Sequence, residues 1–240
     1  MKKTIYLILT IITSVIVSFV FWPIKVGNSI TNKQNEIWSH ANNDIINAKI
    51  NSEIFTGIEI DVVYDKNTNS LNVRHNVEDN PSDYFLFQLI DSTFHNNCSY
   101  WIDLKNLNSQ NINEIINLFE LYPAFKNNII IESPNAKELY KFKEKGYYTS
   151  LWLPSYPNKF LSYFKFFIRT KPILIKCDFN AISAHQSMFP IINFFYKKHN
   201  IHLWTHDYNK ESEIPKIKAL REHKNIKVLL VDYKNPDVLN

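Results

Sequence analysis

The stretch that decides the fold is "FTGIEIDVVYD", residues 55–65. Its run of isoleucine and valine predicts a β-strand, because β-branched side chains fit a pleated sheet. Glu59 and Asp61 lie two residues apart, so the period of two places both carboxylates on one face of this strand. Like charges repel there, and the pair therefore requires a compensating partner.

Short apolar runs of the same kind recur along the chain, and helix-like stretches separate them. Further candidate strands lie at residues 36–42, 99–106, 128–133, 147–154, 172–179, 201–207 and 226–232, with a hairpin arm at 71–76. Candidate helices lie at residues 111–122, 135–146, 187–199 and 212–223. Eight strand-then-helix units predict an α/β protein with a (β/α)8 TIM barrel. An open doubly wound sheet is the alternative, but it usually has fewer strands and a glycine-rich phosphate loop.

Composition excludes several classes of function. The chain has 240 residues, 45% of them hydrophobic, which suits one large globular domain. Only three glycines occur, so no glycine-rich nucleotide loop is present. The net charge of +4 is spread along the chain, and we expect no nucleic-acid partner. Cys98 and Cys177 lack zinc-site spacing and are expected to be buried thiols.

The N-terminal segment differs in composition from the rest. Two lysines precede an uncharged run at residues 4–22, and a bilayer core takes about 20 residues to cross. No small-residue cleavage site follows, as a secretory signal would require. We therefore expect a single-pass transmembrane anchor at residues 1–24, with a cleaved signal and secretion as the alternative. A linker at 25–35 and an extracytoplasmic barrel at 36–240 complete the predicted organisation.

Acidic residues follow the second and third predicted strands of the barrel. Active sites of such barrels lie at the C-terminal ends of the strands, where Glu59, Asp61 and Asp103 fall. Three carboxylates from neighbouring strands are hard oxygen donors, which suit Mg²⁺ or Ca²⁺ better than zinc. The alternative is that one carboxylate pairs with Lys105 while another faces solvent.

Histidines and other polar residues occupy corresponding positions on further strands. His40 ends the first strand and His75 ends the hairpin arm, while Trp204 and Asp207 end the seventh strand. Imidazoles titrate near neutral pH and can act as general acid and base. Glu132 ends the fourth strand, where it could be a further ligand or could support one.

Four motifs, in order, carry a resemblance to a known family. The motifs "SHANN", "GIEIDV", "VRHN" and "IDLKN" resemble those of the phospholipase-C-like phosphodiesterase barrels. That superfamily includes the glycerophosphodiester phosphodiesterases, the sphingomyelinase D enzymes and the menorin-type proteins. The later "LWTHD" is similar to a W-T-x-[ND] strand of the two enzyme groups. The resemblance covers residues 37–207.

The resemblance implies hydrolysis of a glycerophosphodiester or phospholipid headgroup with one divalent cation. It assigns general acid–base catalysis to His40 and His75, metal ligation to Glu59, Asp61 and Asp103, and substrate contact to Lys105, Trp204 and Asn42. The chain departs from the glycerophosphodiesterase pattern, because Ala41 and Asn42 replace an Arg-Gly pair. The D-x-K strand is nearer to that of sphingomyelinase D, whose cysteine-rich loop is missing.

Other functions and residue roles stay open from the sequence. A non-catalytic, membrane-tethered barrel that binds a ligand is the main alternative. A glycosidase would also use paired carboxylates, but it would leave His40 and His75 unexplained. We expect surface or capping positions for His185, His199, His202, His206 and His223. Lys176 is expected to pair with Asp178 on the sixth strand. The aromatic stretch at 160–171 is expected to pack as a helix, with lipid contact as the alternative.

Overall fold

A computed structural model describes residues 36–93, 98–155, 160–205 and 211–232, together with five single positions between residues 6 and 18. For residues 160–164 and 166, only the backbone is described. The predicted linker, most of the predicted anchor, His206 and Asp207 lie outside the described residues. No described helix is both long enough and apolar enough to cross a membrane.

In the described part of the chain, nine strands form one sheet, and eight of them run parallel in a closed barrel. Closure follows because the first strand pairs with both the second and the last. The strands are β1 (Glu36–Ser39), β2 (Gly57–Asp65), β3 (Ser70–Val73), β4 (Ser99–Leu104), β5 (Ile129–Ser133), β6 (Tyr148–Trp152), β7 (Ala181–His185), β8 (Ile201–Trp204) and β9 (Ile226–Val231). Strand β3 is an antiparallel hairpin arm on β2. The closed parallel sheet confirms the TIM barrel.

Helices alternate with these strands around the outside of the barrel. They are α1 (Ile45–Ile54), α2 (Leu86–Thr93), α3 (Ile112–Glu120), α4 (Ala136–Glu144), α5 (Phe160–Cys177), α6 (Phe189–Phe195) and α7 (Ile214–Arg221). Short 3-10 turns lie at Pro123–Asn128, Gln186–Met188 and Glu211–Glu213. Outward-facing strand residues such as Ile60, Ile102 and Ile131 belong to the same buried apolar cluster as the helices' inner faces. Burial of that apolar surface is the main force that holds this layer together.

The predicted sixth strand, 172–179, is wrong. These residues form the last part of helix α5 and its end, with Pro172 inside the helix. Leu174 and Cys177 are buried while the residues between them are exposed, which is a helical period. A short apolar run cannot by itself distinguish a strand from a helix. Asp178 follows the helix in a left-handed turn, so no strand ion pair with Lys176 forms.

Large side chains fill the interior of the barrel. Trp38, Trp101 and Tyr148 are buried there with smaller apolar residues of other strands. The imidazole of His202 lies between two of these rings, 5.1 Å from Trp101 and 5.8 Å from Tyr148 between centroids. The predicted surface position of His202 is therefore wrong. Burial lowers its pKa to about 3, so the ring is neutral at pH 7.

Gly57 makes room for this interior packing. A Cβ atom added at Gly57 would overlap the indole ring of Trp38, which is fully buried. The first residue of β2 must therefore lack a side chain if Trp38 is to fill the barrel. The packed interior in turn forms a floor beneath the strand ends, where the polar residues lie.

We expect Gly57→Ala to lower the free energy of unfolding by about 1–3 kcal/mol or more, as overpacking of a core does. Urea unfolding followed by circular dichroism measures this change. The control is Gly146→Asn, because Gly146 has φ +80° and its added Cβ would meet only the flexible side chain of Lys126. Asparagine tolerates this left-handed backbone, so the control should change stability by less than about 1 kcal/mol. Equal stability of Gly57→Ala and wild type would contradict this account of the interior.

Candidate active site

The strand register brings the predicted acidic residues to one end of the barrel. Asp61 on β2 lies beside Asp103 on β4, and Asp103 lies beside Glu132 on β5. Glu59 lies two residues earlier on β2, next to Trp101 of the neighbouring strand. All four carboxyl groups therefore reach the C-terminal face of the barrel from adjacent strands.

Three of these carboxylates converge on one point. Glu59, Asp61 and Asp103 each offer one oxygen, and these oxygens lie within 4.8 Å of one another. Glu59 and Asp61 are each only 3% exposed. A hard divalent cation such as Mg²⁺ or Ca²⁺ takes several oxygen ligands from carboxylates, so the donor set fits such an ion. The expected convergence of these three side chains is confirmed.

Lys105 inserts its ammonium group into the same cluster. Its Nζ lies 2.6 Å from Asp61 Oδ1 and 2.5 Å from Asp103 Oδ2. The alternative reading, in which a carboxylate pairs with Lys105, is thus also present in the geometry. One ammonium group compensates part of the negative charge of three carboxylates. A bound cation would compensate the remaining negative charge.

The pKa values of these groups follow from burial and mutual charge. Burial raises the pKa of Glu59 well above its usual range, and the charges of Asp61 and Asp103 raise it further. Burial would also raise the pKa of Asp61, but the charge and hydrogen bonds of Lys105 bring it below its usual value. The pKa of Asp103 is raised, chiefly by burial and despite Lys105. Glu59 and Asp103 therefore bind protons more readily than separate carboxylates would, whereas Asp61 does not.

The loop after β1 holds two of the carboxylates in place. Ala41 has φ +55°, a left-handed conformation that is uncommon for residues other than glycine, and its N–H donates to Glu59 Oε2 at 2.7 Å. Asn43 Nδ2 donates to Asp61 Oδ2 at 2.6 Å, and its Oδ1 accepts from the backbone N–H of Asp61. The sequence analysis missed Asn43, although it lies within the quoted "SHANN" motif.

Asn42, expected to contact substrate, occupies a different place. It is 1% exposed, and its side chain bonds to Ser39, Asn51 and the backbone oxygen of Glu59. The residue is absent from the lining of the cavity above the carboxylates. The hydrogen bonds of its side chain therefore hold the loop in place, and Asn42 does not line the cavity.

Both predicted catalytic histidines face the cluster and have carboxylate partners. His40 Nδ1 lies 2.9 Å from Asp232 Oδ1, and His75 Nδ1 lies 2.8 Å from Asp61 Oδ2. Both contacts are made through Nδ1, so proton transfer would use the second ring nitrogen, Nε2. The His40 side chain is 13% exposed, whereas that of His75 is 55% exposed. Asp232 was missed, although its position directly after the last strand could have identified it.

A cavity of about 190 Å³ lies above these residues. Its walls are formed by His40, Glu59, Asp61, His75, Trp101, Asp103, Lys105, Glu132, Trp204 and Leu230. Seven of the eight site residues predicted from the sequence therefore line one cavity, with Asn42 the exception. The ring of Trp204 lies 5.0 Å from that of His185, between centroids, at the neighbouring strand end. The cavity combines acid–base groups, carboxylates and a positive charge at one end of the barrel.

Residues expected to lie outside the site do so. Cys98 and Cys177 are free and buried thiols, as predicted. His185 caps the turn at Gln186–Met188 by accepting from the Ser187 backbone N–H, which confirms a capping role. His199 is 2% exposed and, like His202, does not lie on the surface.

Comparison with solved structures identifies barrels of the same fold. A glycerophosphodiester phosphodiesterase from Parabacteroides distasonis superposes with a TM-score of 0.61 and 14% identity, covering 84% of this chain and 94% of that one. A phosphodiesterase from Oleispira antarctica, in complex with the product sn-glycerol-3-phosphate, gives 0.56 and 12%, covering 83% and 93%. A calcium-dependent phosphoinositol-specific phospholipase C from Pseudomonas sp. gives 0.53 and 10%, covering 82% and 88%.

No protein-family model matches the sequence. None of the curated proteins compared with it matches either. The structural likeness spans most of each chain, and it establishes that this chain shares the barrel fold of these solved structures. At such low identity the likeness concerns the fold, so the chemistry has to be argued from the site.

We expect the affinity for Ca²⁺ or Mg²⁺ to fall as the pH decreases from 7.5 to 5.5. Protons compete with the cation for Glu59 and Asp103, and the raised pKa values move this competition above the usual carboxylate range. Isothermal titration calorimetry at several pH values measures the affinity. Glu59→Gln should weaken binding and flatten this pH dependence.

The matched control for this titration is Glu114→Gln on helix α3, an exposed acidic residue outside the cluster. It should keep both the affinity and the pH dependence of the wild type. A wild-type affinity that is constant from pH 5.5 to 7.5, or an equal effect of the control, would contradict a cation site at Glu59.

Proposed function

We propose that the chain is a metal-dependent phosphodiesterase that cleaves a glycerophosphodiester or a phospholipid headgroup. One arrangement carries this proposal: His40 and His75, each oriented by a carboxylate, share a small cavity with the three-carboxylate cluster and Lys105. Phosphodiester cleavage needs a general base, a general acid and positive charge near the phosphoryl oxygens. The cavity contains side chains suited to each of these tasks.

Glu59, Asp61 and Asp103 would hold the cation, which supplies Lewis-acid stabilisation of charge on the phosphoryl oxygens when bound. Lys105 keeps its positive charge at neutral pH, because the two aspartates raise its pKa against the opposing effect of burial. Its ammonium group therefore adds a second, fixed positive charge to the phosphate site. Mg²⁺ and Ca²⁺ both suit oxygen ligands of this kind.

The two histidines divide the proton transfers between them. Asp232 accepts from Nδ1–H of His40 when that nitrogen carries the proton, and this contact orients the ring in the cavity. His75 is held in the same way by Asp61. One imidazole removes the proton of the attacking hydroxyl, and the other protonates the leaving alcohol. The attacking group is water, or a neighbouring hydroxyl of the substrate that would give a cyclic phosphate.

The structural neighbours support this class of substrate. The Oleispira antarctica phosphodiesterase is described with sn-glycerol-3-phosphate as its product, and the Pseudomonas phospholipase C is described as calcium-dependent. A non-catalytic binding barrel is the second candidate. Two observations favour it, namely the ion pairs of Lys105 inside the cluster and alanine at position 41, where the glycerophosphodiesterases have an arginine.

We further infer that residues 1–24 anchor the barrel in a membrane, with the site outside the cytoplasm. The lysines and the uncharged run that follows support this location. A chain without residues 1–28 should be soluble and folded, whereas the full chain should require detergent. Circular dichroism of the truncated chain measures its folding. Loss of folding on truncation would mean that the segment belongs to the core.

We expect His40→Ala and His75→Ala each to lower the turnover of a glycerophosphodiester with an aliphatic leaving alcohol by about 10²–10⁴, as loss of an acid or base does. Asp232→Asn should lower turnover less, because it orients His40 without touching the substrate. All three variants should keep the cation affinity of the wild type. Asp61→Asn should lose cation affinity together with activity, because an amide is a poorer ligand for a hard cation.

Turnover with increasing Ca²⁺ or Mg²⁺, and after removal of metal by EDTA, separates these roles. Excess cation should restore part of the activity of Asp61→Asn and none of that of the histidine variants. Wild-type hydrolysis that is unaffected by EDTA would contradict metal dependence. Full activity in all four variants would favour the non-catalytic barrel.

A further inference from the structure

Glu132 is a buried carboxyl group in the cavity that the proposed mechanism does not use. It ends strand β5, is 2% exposed and lines the cavity beside Asp103. It lies outside the group of three carboxylates whose oxygens approach within 4.8 Å. Neither proposed catalytic histidine contacts it by a hydrogen bond or ion pair among the described residues. A different role is therefore required to explain a carboxyl group in this position.

The carboxyl group of Glu132 is incompletely satisfied by the protein. Its Oε2 atom is buried and has no hydrogen-bond partner among the described residues. Ser183 and Trp101 lie nearby, but the Ser183 hydroxyl and the Trp101 indole N–H make no hydrogen bond of good geometry with it. A buried polar atom without a partner costs about 1–3 kcal/mol, so a partner supplied by a ligand would recover that energy.

We propose that Glu132 is a specificity-determining residue, whose carboxyl group accepts a hydrogen bond from a free hydroxyl on the alcohol portion of the substrate. This inference rests on the proposed phosphodiesterase function. A carboxyl group accepts a hydrogen bond from a hydroxyl whether or not it is ionised. Glu132 is one strand away from Asp103, so a hydroxyl near the phosphate of a bound substrate would lie within its reach.

Hydrogen-bonding capacity favours an alcohol with a free hydroxyl over a choline headgroup, and the cavity volume favours a compact alcohol. The trimethylammonium group of choline has no O–H or N–H, so it could not donate a hydrogen bond to Oε2 of Glu132. The cavity volume of about 190 Å³ is below the range of about 300–1,000 Å³ typical of sites for larger ligands. A compact alcohol with a free hydroxyl, such as glycerol, satisfies both conditions.

Two esters with the same leaving group isolate the contribution of the hydroxyl. Glyceryl p-nitrophenyl phosphate and propyl p-nitrophenyl phosphate differ only in the hydroxyl groups of the alcohol. The wild type should have a higher kcat/KM for the glyceryl ester. Glu132→Leu should reduce the glyceryl-to-propyl ratio of kcat/KM by about 10- to 100-fold, as loss of a buried hydrogen bond does. Glu132→Gln should keep part of the preference, because its amide still binds a hydroxyl.

The control is Ser52→Ala on helix α1, which alters a buried residue that does not line the cavity. It should leave the ratio unchanged, and thermal unfolding should show all variants folded. A Glu132→Leu variant that loses both esters equally would overturn the hydroxyl role. A wild type that prefers the choline ester through Glu132 would also overturn it, in favour of ammonium recognition.

Failure of the proposed function would be distinguished by binding alone. If the wild type hydrolyses neither ester with Mg²⁺ or Ca²⁺, the phosphodiesterase proposal fails. Calorimetry with glycerol 3-phosphate and propyl phosphate, each in the presence of Ca²⁺, then tests the subsite directly. Tighter binding of glycerol 3-phosphate that Glu132→Leu abolishes supports it, and equal binding of the two phosphates overturns it.

Discussion

Repulsion among carboxylates at one end of the barrel is the constraint on which the rest of the site depends. Glu59, Asp61 and Asp103 lie close together and largely out of contact with water, so their negative charges repel one another. An uncompensated buried charge costs several kcal/mol, so the surrounding elements must supply positive charge and hydrogen bonds. Lys105 supplies one positive charge. The loop after β1 supplies hydrogen-bond donors, among them the backbone N–H of Ala41. The incomplete compensation is what makes a divalent cation a suitable ligand.

The barrel below the site makes this arrangement rigid. Trp38 packs over the bare backbone of Gly57, and the neutral ring of His202 fills the space between Trp101 and Tyr148. A dense interior leaves the strand ends little freedom to move apart, although the carboxylates repel one another. Packing in the barrel and charge at its mouth are therefore coupled, because the strands that carry the carboxylates also carry the residues of the floor.

The loop between β1 and α1 combines structural and functional roles within a few residues. Asn42 turns inward and fastens the loop to β1 and α1, while Asn43 turns toward Asp61. Asp44 then caps helix α1 by accepting from the N–H groups of its first turn. This division of roles lets the loop hold Glu59 and Asp61 at the barrel mouth, with Ala41 and Asn42 where the glycerophosphodiesterase pattern has Arg-Gly.

The sequence by itself determined the barrel, the order of most strands and the grouping of carboxylates with histidines, because period-two alternation and strand-end placement are local patterns. A strand was wrongly predicted at residues 172–179, which belong mostly to helix α5. The surfaces that pack against this segment decide between helix and strand, and they are distant in the chain. Tertiary structure alone decided that Asp232 meets His40 across 192 positions and that Asn43 rather than Asn42 faces the site. Such pairings depend on barrel closure and on the direction of each side chain, which no local spacing specifies.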